Sequence, residues 1–242
     1  MNLAEKRLVR GQSVSRQEIE EYQLQKLKKL LSRVNRKSEF YQQKFNGIDV
    51  SAIKDLDDLA ELPFTTKDEL RENYPLGIRA VDEEEIVRIH SSSGTTGKPV
   101  IVPYTEGDLN NWQDMMARAL SQVGVTAQDR VQITPGYGLW TAGIGFQQGV
   151  ENLGALAVPT GPGNTEKQLE MMVDMESSVL IGTSSYALLL AEAAEEKGML
   201  DDINLEIGVF GSERWSAEMR NRIEDMLGLK AYDIYGLTEI YG

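Results

Sequence analysis

Short apolar segments alternate with amphipathic segments along most of the chain after Lys98. The apolar segments predict strands at residues 130–134, 155–159, 179–182, 205–211 and 231–235. The segments between them predict helices at residues 108–122, 140–153, 165–175, 184–197 and 216–227. Short strands joined by crossover helices form a mainly parallel sheet that helices cover on both faces. The sequence therefore predicts an α/β core for residues 86–242.

The first part of the chain has a different pattern. Between residues 15 and 36, apolar side chains recur at steps of three and four, which predicts an amphipathic helix. The basic residues on its other face are mixed with acidic ones, which favours a solvent-exposed face over a nucleic-acid contact. Thr66 is placed to cap a short helix that contains Asp68 and Glu69. We therefore expect residues 1–85 to form a helical segment packed on the main domain.

Composition argues against several classes of function. With 242 residues, 41% of them hydrophobic, the chain is long enough to bury a substantial core. Its formal charge of −13 opposes binding to nucleic acid or to an anionic membrane. It has no cysteine and a single histidine, His90, so disulfides and thiolate metal sites are excluded. No segment approaches the roughly 18 apolar residues of a membrane span, and we expect a cytoplasmic protein.

Residues 91–98 form an unbroken run of hydroxyls, glycines and one lysine between two strand-like segments. Hydroxyl groups, backbone amides freed by glycine and an ammonium can together surround a polyanion. The commoner phosphate loop has a glycine where this chain has Ser92, and a helix after its lysine. Here Pro99 and β-branched residues follow Lys98 and favour extended chain. The predicted phosphate-binding residues are Ser91, Ser92, Ser93, Gly94, Thr95, Thr96, Gly97 and Lys98.

The alternative for this run is a Ser/Gly surface turn. His90, directly before it, either contacts phosphate or makes a structural hydrogen bond. Further glycine-rich segments follow four predicted strands, at residues 135–138, 161–164, 211–213 and 235–239. In open parallel sheets, ligands gather beyond the carboxyl ends of the strands. We therefore expect these four loops to line one crevice.

Residues 92–99 (SSGTTGKP) and 235–239 (YGLTE) together resemble the adenylate-forming enzymes, the superfamily of acyl-CoA synthetases, luciferases and peptide-synthetase adenylation domains. Three further segments, LPFTTK at 62–67, YGLWTAG at 137–143 and GNTEKQL at 163–169, are similar to the phenylacetate-coenzyme A ligase family. The resemblance covers nearly the whole chain. It implies a ligase that uses ATP to activate an aryl or related carboxylic acid as an acyl-adenylate and transfers the acyl group to coenzyme A.

The resemblance also implies roles for single residues. Glu239 would hold Mg²⁺, a hard cation that prefers oxygen ligands, and Thr238 would approach the phosphates. Taken alone, a glutamate at a strand end is a surface charge. The implied catalytic residues are Lys98, Thr238 and Glu239. The residues implied to bind nucleotide, besides the 91–98 run, are Gly211, Ser212, Glu213, Tyr235 and Gly236.

For the acyl pocket, the resemblance points to Tyr137, Trp140 and Gly143. The alternative is that aromatic residues at a helix start belong to the core. Trp140 stands where a phenylalanine is common in the family. Its larger ring would narrow the acyl pocket. Arg214 precedes Trp215 where relatives have proline, so the form of that loop stays open. Trp215 itself is expected to pack rather than to contact a ligand.

Only Ile240, Tyr241 and Gly242 follow Glu239, whereas the family continues with a ribose-binding aspartate, a hinge and a mobile C-terminal lid domain. We therefore expect an incomplete N-terminal domain that adenylates poorly by itself. Its last strand would expose a sheet edge, through which the chain forms homodimers or associates. Two alternatives to the ligase stay open: a non-catalytic nucleotide- or partner-binding module derived from the same fold, and adenylyl transfer to a cofactor other than coenzyme A.

Overall fold

The structure is a computed structural model that describes residues 14–92 and 98–240. It divides into two compact units, residues 1–106 and residues 107–242. Each unit has its own sheet within the described ranges. None of the helices in these ranges is long and apolar enough to cross a lipid bilayer.

The first unit begins with the predicted amphipathic helix, α1 (Arg16–Lys37). The Ser15 hydroxyl accepts a hydrogen bond from the Glu18 amide, and the Glu18 side chain accepts one from the Ser15 amide, so a capping box starts the helix. The buried face of α1 packs against residues from the segments that follow it. Helices α2 (Glu39–Lys44) and α3 (Lys67–Glu72) complete the α-helices described in this unit. Thr66 caps α3 through a capping box with Glu69, as its position in the sequence predicts.

Two strands end the first unit, β1 (Ile86–Ser91) and β2 (Ile101–Thr105). They pair with each other in an antiparallel sheet of two strands, separate from the parallel sheet of the second unit. These strands were predicted to belong to the 86–242 core. By packing they belong to the first unit, because their hydrogen bonds are made to each other. The division into functional domains at residue 85 stays a prediction.

The second unit is a parallel α/β sheet covered by helices. Its strands are β3 (Arg130–Ile133), β4 (Leu156–Val158), β5 (Val179–Gly182), β6 (Ile207–Phe210) and β7 (Lys230–Asp233). Its helices are α4 (Glu106–Gln122), α5 (Ala142–Leu153), α6 (Thr165–Asp174), α7 (Ser184–Lys197) and α8 (Ala217–Leu227). Every strand and helix predicted for this region is present, with ends shifted by about two residues or less.

The two faces of the sheet are covered by different helices. In β5, Val179 and Ile181 pack in one apolar cluster with Phe146 of α5. Leu180, between them, packs in a second cluster with Leu190 of α7. The alternation follows from the two-residue period of a strand. The predicted α/β fold with helices on both faces is therefore confirmed.

The strand order is β4-β3-β5-β6-β7, with all neighbours parallel. The chain runs from β3 outward to β4 and then returns to β5 on the other side of β3. The order thus reverses between β3 and β5, and such a topological switch point opens a crevice at the carboxyl ends of the strands.

Strand β7 lies at an edge of this sheet, as predicted. The expectation that its backbone is exposed is wrong at Ala231. The Ala231 amide donates to the Glu224 carboxylate at 2.8 Å, and its carbonyl accepts from the Arg220 guanidinium at 2.5 Å. Both partners come from α8, which follows β6 in sequence and flanks the edge strand. Self-association through this edge stays a prediction.

Candidate functional site

The loops of the second unit that follow the carboxyl ends of the strands hold most of the predicted site residues. Because the strands are parallel, these ends lie along one edge of the sheet. The structure brings to this edge Tyr137, Trp140, Gly143, Gly211, Ser212, Glu213, Tyr235, Gly236, Thr238 and Glu239.

Aromatic side chains stand exposed after β3. Tyr137 is 39% exposed and Trp140 is 58% exposed, so the alternative that these rings belong to the core is wrong. A glycine lies next to each ring, Gly136 beside Trp140 and Gly161 beside Tyr137. A Cβ added at Gly136 would lie 3.7 Å from the Trp140 ring, and a Cβ added at Gly161 would lie 3.9 Å from the Tyr137 ring. Partial burial and the nearby Glu151 carboxylate raise the pKa of Tyr137 to about 12. Its hydroxyl is therefore protonated at neutral pH and able to donate a hydrogen bond.

Gly143 differs from the two aromatic residues because it is buried. Its amide donates to the Gly136 carbonyl at 3.2 Å, and an added Cβ would lie only 2.6 Å from that oxygen. The missing side chain lets the start of α5 pack directly on the loop after β3. Gly143 thus shapes the loop that carries the exposed rings, and its role in a pocket stays a prediction.

Gly211 lies where β6 ends, beside the end of β7. A Cβ at this position would lie 2.7 Å from the Ile234 carbonyl oxygen. Gly211 is one of the residues that the resemblance assigns to nucleotide binding. In the structure, the group that approaches Gly211 closely is the chain's own backbone at Ile234.

The Glu213 side chain, from the loop after β6, contacts the N-terminus of α7. Its Oε1 atom accepts hydrogen bonds from the Ser184 hydroxyl at 2.9 Å and from the Ser185 amide at 2.5 Å. Burial acts to raise the pKa of Glu213, but the hydrogen bonds from Ser185, Ser184 and Thr183 outweigh it and leave the pKa lowered. Glu213 is therefore a carboxylate at neutral pH. Its contact with α7 was not predicted from the sequence.

Trp215 and Asp233 connect the loop after β6 to the end of β7. The Trp215 indole N–H donates to the Asp233 carboxylate, whose other oxygen accepts from Arg220 at 2.6 Å. Trp215 also packs edge-on against the buried Phe210 ring. The expectation that Trp215 packs is thus confirmed. The contacts of Asp233 were not predicted from the sequence. An acidic residue inside the strand predicted at 231–235 was a signal that could have indicated them.

Tyr235 and Glu239 are solvent-exposed. Tyr235 is 85% exposed, so one face of its ring is available for stacking. Thr238 and Glu239 lie in a short 3₁₀ turn, Thr238–Ile240. Among the residues that the structure describes, no three Asp, Glu or His side chains are grouped closely enough to hold a metal ion by themselves.

A buried glutamine pair supports the loop after β4. The Gln132 amide donates to the Gln168 side-chain oxygen at 2.7 Å, and the Gln168 amide donates to the Gly161 carbonyl at 2.6 Å. Both glutamines are almost fully buried. Gln168 belongs to the GNTEKQL segment, but its connection to Gln132 was missed because the pair is separated by 36 residues.

The loop between β1 and β2 belongs to the first unit and carries the predicted phosphate-binding run. Ser91 is the buried last residue of β1. The Ser92 hydroxyl accepts from the Val100 amide at 2.9 Å and so closes the base of the loop. The Lys98 ammonium lies 5.5 Å from the centre of the Tyr74 ring. The predicted residues Ser93, Gly94, Thr95, Thr96 and Gly97 lie outside the described residues.

The two strands predicted to flank this run are confirmed, and Lys98 lies between the run and β2. Its binding of phosphate stays a prediction. His90 is buried in β1 and packs edge-on against the Tyr104 ring at 5.5 Å. This packing gives His90 a structural contact, while a structural hydrogen bond and a phosphate contact both stay predictions.

Residues 19–242 match the family described as AMP-binding enzyme. The chain belongs to this family. Its membership confirms the resemblance to adenylate-forming enzymes that the 92–99 and 235–239 segments indicated.

Similar proteins within this family are ligases by name. A phenylacetate-coenzyme A ligase from Pseudomonas putida is 42% identical over 227 residues, which are 93% of this chain and 52% of that protein. One from Escherichia coli (strain K12) is 41% identical over 235 residues, which are 96% of this chain and 54% of that protein. The chain spans about half the length of the relatives it matches.

Solved structures of a CoA ligase are also similar to this chain. The open conformation of 2-hydroxyisobutyryl-CoA ligase in complex with 2-HIB-AMP and CoA matches with a TM-score of 0.87 at 26% identity, over 94% of this chain and 55% of that chain. The same ligase in the thioesterification state matches with a TM-score of 0.87 at 28% identity, over 94% and 50% of the two chains.

Proposed function

We propose that this chain contributes the nucleotide and carboxylic-acid sites of an ATP-dependent carboxylate-CoA ligase acting on an aryl or related acid. The observation that carries the proposal is the group of exposed aromatic and polar residues at the carboxyl edge of the sheet, in a member of the AMP-binding enzyme family. The names of the similar proteins, and the acyl-adenylate and CoA in the solved complexes, support the same reaction.

Each unit carries its own set of residues assigned to nucleotide binding. The 91–98 run would donate hydroxyl and amide hydrogen bonds to the phosphates, with Lys98 adding a positive charge. Such fixed donors stabilise the negative charge that grows on pyrophosphate as it leaves. At the carboxyl edge, the exposed Tyr235 ring would stack on adenine beside the backbone of Gly211, Ser212 and Gly236.

Mg²⁺ fits the acidic end of the 235–239 segment. This cation is usually bound through one or two carboxylates together with substrate phosphates and water, rather than by a cage of protein ligands. The exposed Glu239 carboxylate provides one such ligand, and Thr238 lies beside it in sequence. When bound, the ion would neutralise phosphate charge.

The carboxylic acid would lie against the rings after β3. Tyr137 and Trp140 present apolar surface, and the protonated Tyr137 hydroxyl adds a hydrogen-bond donor at this edge. An aromatic acid can stack on such rings. Because the reaction uses ATP and coenzyme A, we place it in the cytoplasm, which supplies both. Homodimer formation remains a separate proposal.

Titration calorimetry with ATP and Mg²⁺ tests the nucleotide site. We expect the wild-type chain to bind, and Lys98→Ala and Glu239→Ala each to weaken binding strongly. Lys29→Ala and Glu218→Ala make the same charge changes at exposed positions and should leave the affinity unchanged. No binding by a folded wild-type chain would contradict the proposal and favour the non-catalytic module.

Pyrophosphate release with a panel of aryl and aliphatic acids tests the reaction itself. It should be measured on this chain and on a version extended by the region that the longer relatives have in addition. We expect release that depends on an aryl acid from the extended version. Thioester formation with coenzyme A separates the ligase from transfer to another cofactor.

A further inference from the structure

The loop from Gly211 to Trp215 contains a residue in a costly backbone conformation. Ser212 has φ of 70°, in the left-handed region that non-glycine residues rarely adopt. A residue keeps such a conformation only where its surroundings enforce it. The contacts on both sides of Ser212 therefore decide the shape of this loop.

On one side, Glu213 ties the loop to α7, a helix of 14 residues. The first amides of a helix have no partner within the helix and attract negative charge. Glu213 supplies that charge by accepting from the Ser185 amide and the Ser184 hydroxyl. Ser184 is 1% exposed, so its hydroxyl is a fixed donor.

On the other side, Trp215 ties the loop to β7. Its indole N–H donates to Asp233, and the Arg220 guanidinium stacks on its ring at 4.4 Å while binding the same carboxylate. Arg220 also binds the Ala231 carbonyl of β7. The strained residue is thus held between one attachment to α7 and one attachment to β7.

We propose that Glu213 is a positioning residue that holds Ser212 in its left-handed conformation, and so keeps the 211–215 backbone in the shape that receives the nucleotide. This inference rests on the proposed nucleotide site and changes the role assigned to Glu213 by resemblance. Its described hydrogen bonds point to α7, and a carboxylate directed at ATP would repel the phosphates.

Hydrogen exchange of the ligand-free chain tests the attachment without any nucleotide. The Gly211 amide donates to the Gly182 carbonyl and the Trp215 indole N–H donates to Asp233, so both N–H groups report on how the loop is held. In Glu213→Ala, we expect exchange of these two N–H groups to accelerate about tenfold, the factor that corresponds to the cost of a left-handed non-glycine residue. Glu213→Gln retains an oxygen acceptor and should give a smaller increase. Glu218→Ala is the matched control on α8. Unchanged exchange in Glu213→Ala would overturn the proposal.

Calorimetry with ATP and Mg²⁺ then tests the consequence for binding. We expect Glu213→Ala to weaken binding about tenfold, although it removes a negative charge, and Glu213→Gln to weaken it less. Glycine adopts a positive φ without steric cost. In a Ser212→Gly background, the loss caused by Glu213→Ala should therefore shrink.

A direct contact between Glu213 and the nucleotide predicts the same loss in both backgrounds, and that result would overturn the proposal. Ser184→Ala removes the donor from the other side of the contact and should accelerate exchange of the same two N–H groups. If the wild-type chain does not bind ATP, the proposed function fails, while the exchange experiment still decides whether Glu213 holds the loop.

Discussion

Two buried glutamines connect the interior of the second unit to the loop after β4, at the carboxyl edge of the sheet. Gln132 points from β3 to Gln168 of α6, and Ser177 donates to the Gln132 side-chain oxygen at 3.3 Å. Buried amides that bind each other define one arrangement of their surroundings, because every alternative leaves a polar group without a partner. The pair therefore explains why the glycine-rich loop after β4 has a defined position.

Replacing Gln132 by leucine tests this role. The leucine fills a similar volume but leaves the Gln168 oxygen and the Ser177 hydroxyl without their partner, and we expect the free energy of unfolding to fall by about 1 to 3 kcal/mol. Urea denaturation measures the change. Gln147→Leu removes a hydrogen bond made at the surface of α5 and should change stability by less than about 0.5 kcal/mol. Equal effects of the two substitutions would contradict this interpretation.

Glycines of α5 give a second prediction at this scale. Gly143→Ala forces a methyl group against the Gly136 carbonyl, and Gly149→Ala forces one against Met116 of α4. Each should destabilise the chain by about 1 to 3 kcal/mol, since overpacking strains a close-packed contact. Only Gly143→Ala should also displace the loop that carries Tyr137. The tyrosine fluorescence and the acid preference would then change in Gly143→Ala and not in Gly149→Ala.

Helix α8 protects the edge strand of the parallel sheet. An unpaired edge strand offers its backbone groups to a strand of another molecule. Arg220 and Glu224, one helical turn apart, bind the carbonyl and the amide of Ala231. A short edge strand together with such side-chain partners reduces the backbone available for pairing.

Removing both partners should open this edge. We expect the Arg220→Ala, Glu224→Ala double variant to associate, so that its molecular mass in solution exceeds that of the wild type at the same concentration. Sedimentation velocity over a concentration series measures this difference. The Arg222→Ala, Asp225→Ala double variant changes the same charges elsewhere on α8. Association of both double variants to the same degree would assign the effect to charge rather than to the β7 edge.

In the part of the chain that the structure describes, several carboxylates have a pKa below its ordinary value. Hydrogen bonds to the charged form are a common cause, as for Glu69, whose pKa is lowered first by the Lys44 ammonium and next by the Thr66 amide. The carboxylates with lowered pKa are Asp49, Asp58, Glu69, Asp82, Asp129, Glu166 and Glu213. Folding therefore favours their ionised form.

This pattern predicts acid sensitivity. A carboxyl group whose pKa is lower in the folded protein contributes stability above its unfolded pKa, near 4, and loses that contribution as the pH falls through the folded pKa. We expect the urea midpoint to decrease as the pH is lowered from 6 to 3. Relief of repulsion within a chain of charge −13 acts in the opposite direction, so a rising midpoint would show that repulsion dominates.

Asp129 allows a control for this prediction. Burial acts to raise the pKa of Asp129, while hydrogen bonds from Thr126 and Ser178 lower it by more. Asp129→Asn removes the titrating group at this position. The variant should therefore show a smaller decrease in midpoint between pH 6 and pH 3 than the wild type shows.

Local features of the chain were predictable because their causes lie within a few residues. The α1 helix follows from its apolar period and from Ser15 and Glu18, which are three residues apart. The contacts that shape the candidate site were not predictable in this way. Glu213 and Ser185 are 28 residues apart, and Trp215 and Asp233 are 18 apart. Periodicity identifies the face of a strand or helix but not the partner across from it.

By itself, the sequence determined the α/β alternation, the two strands on either side of the predicted phosphate-binding run and the membership in the AMP-binding enzyme family. These follow from local periods and from motifs that are continuous in sequence. The tertiary structure decided that Gly211 accommodates the Ile234 carbonyl, that Glu213 binds α7 and that α8 protects the β7 edge. Those outcomes depend on strand order, which brings together residues that are distant in the chain.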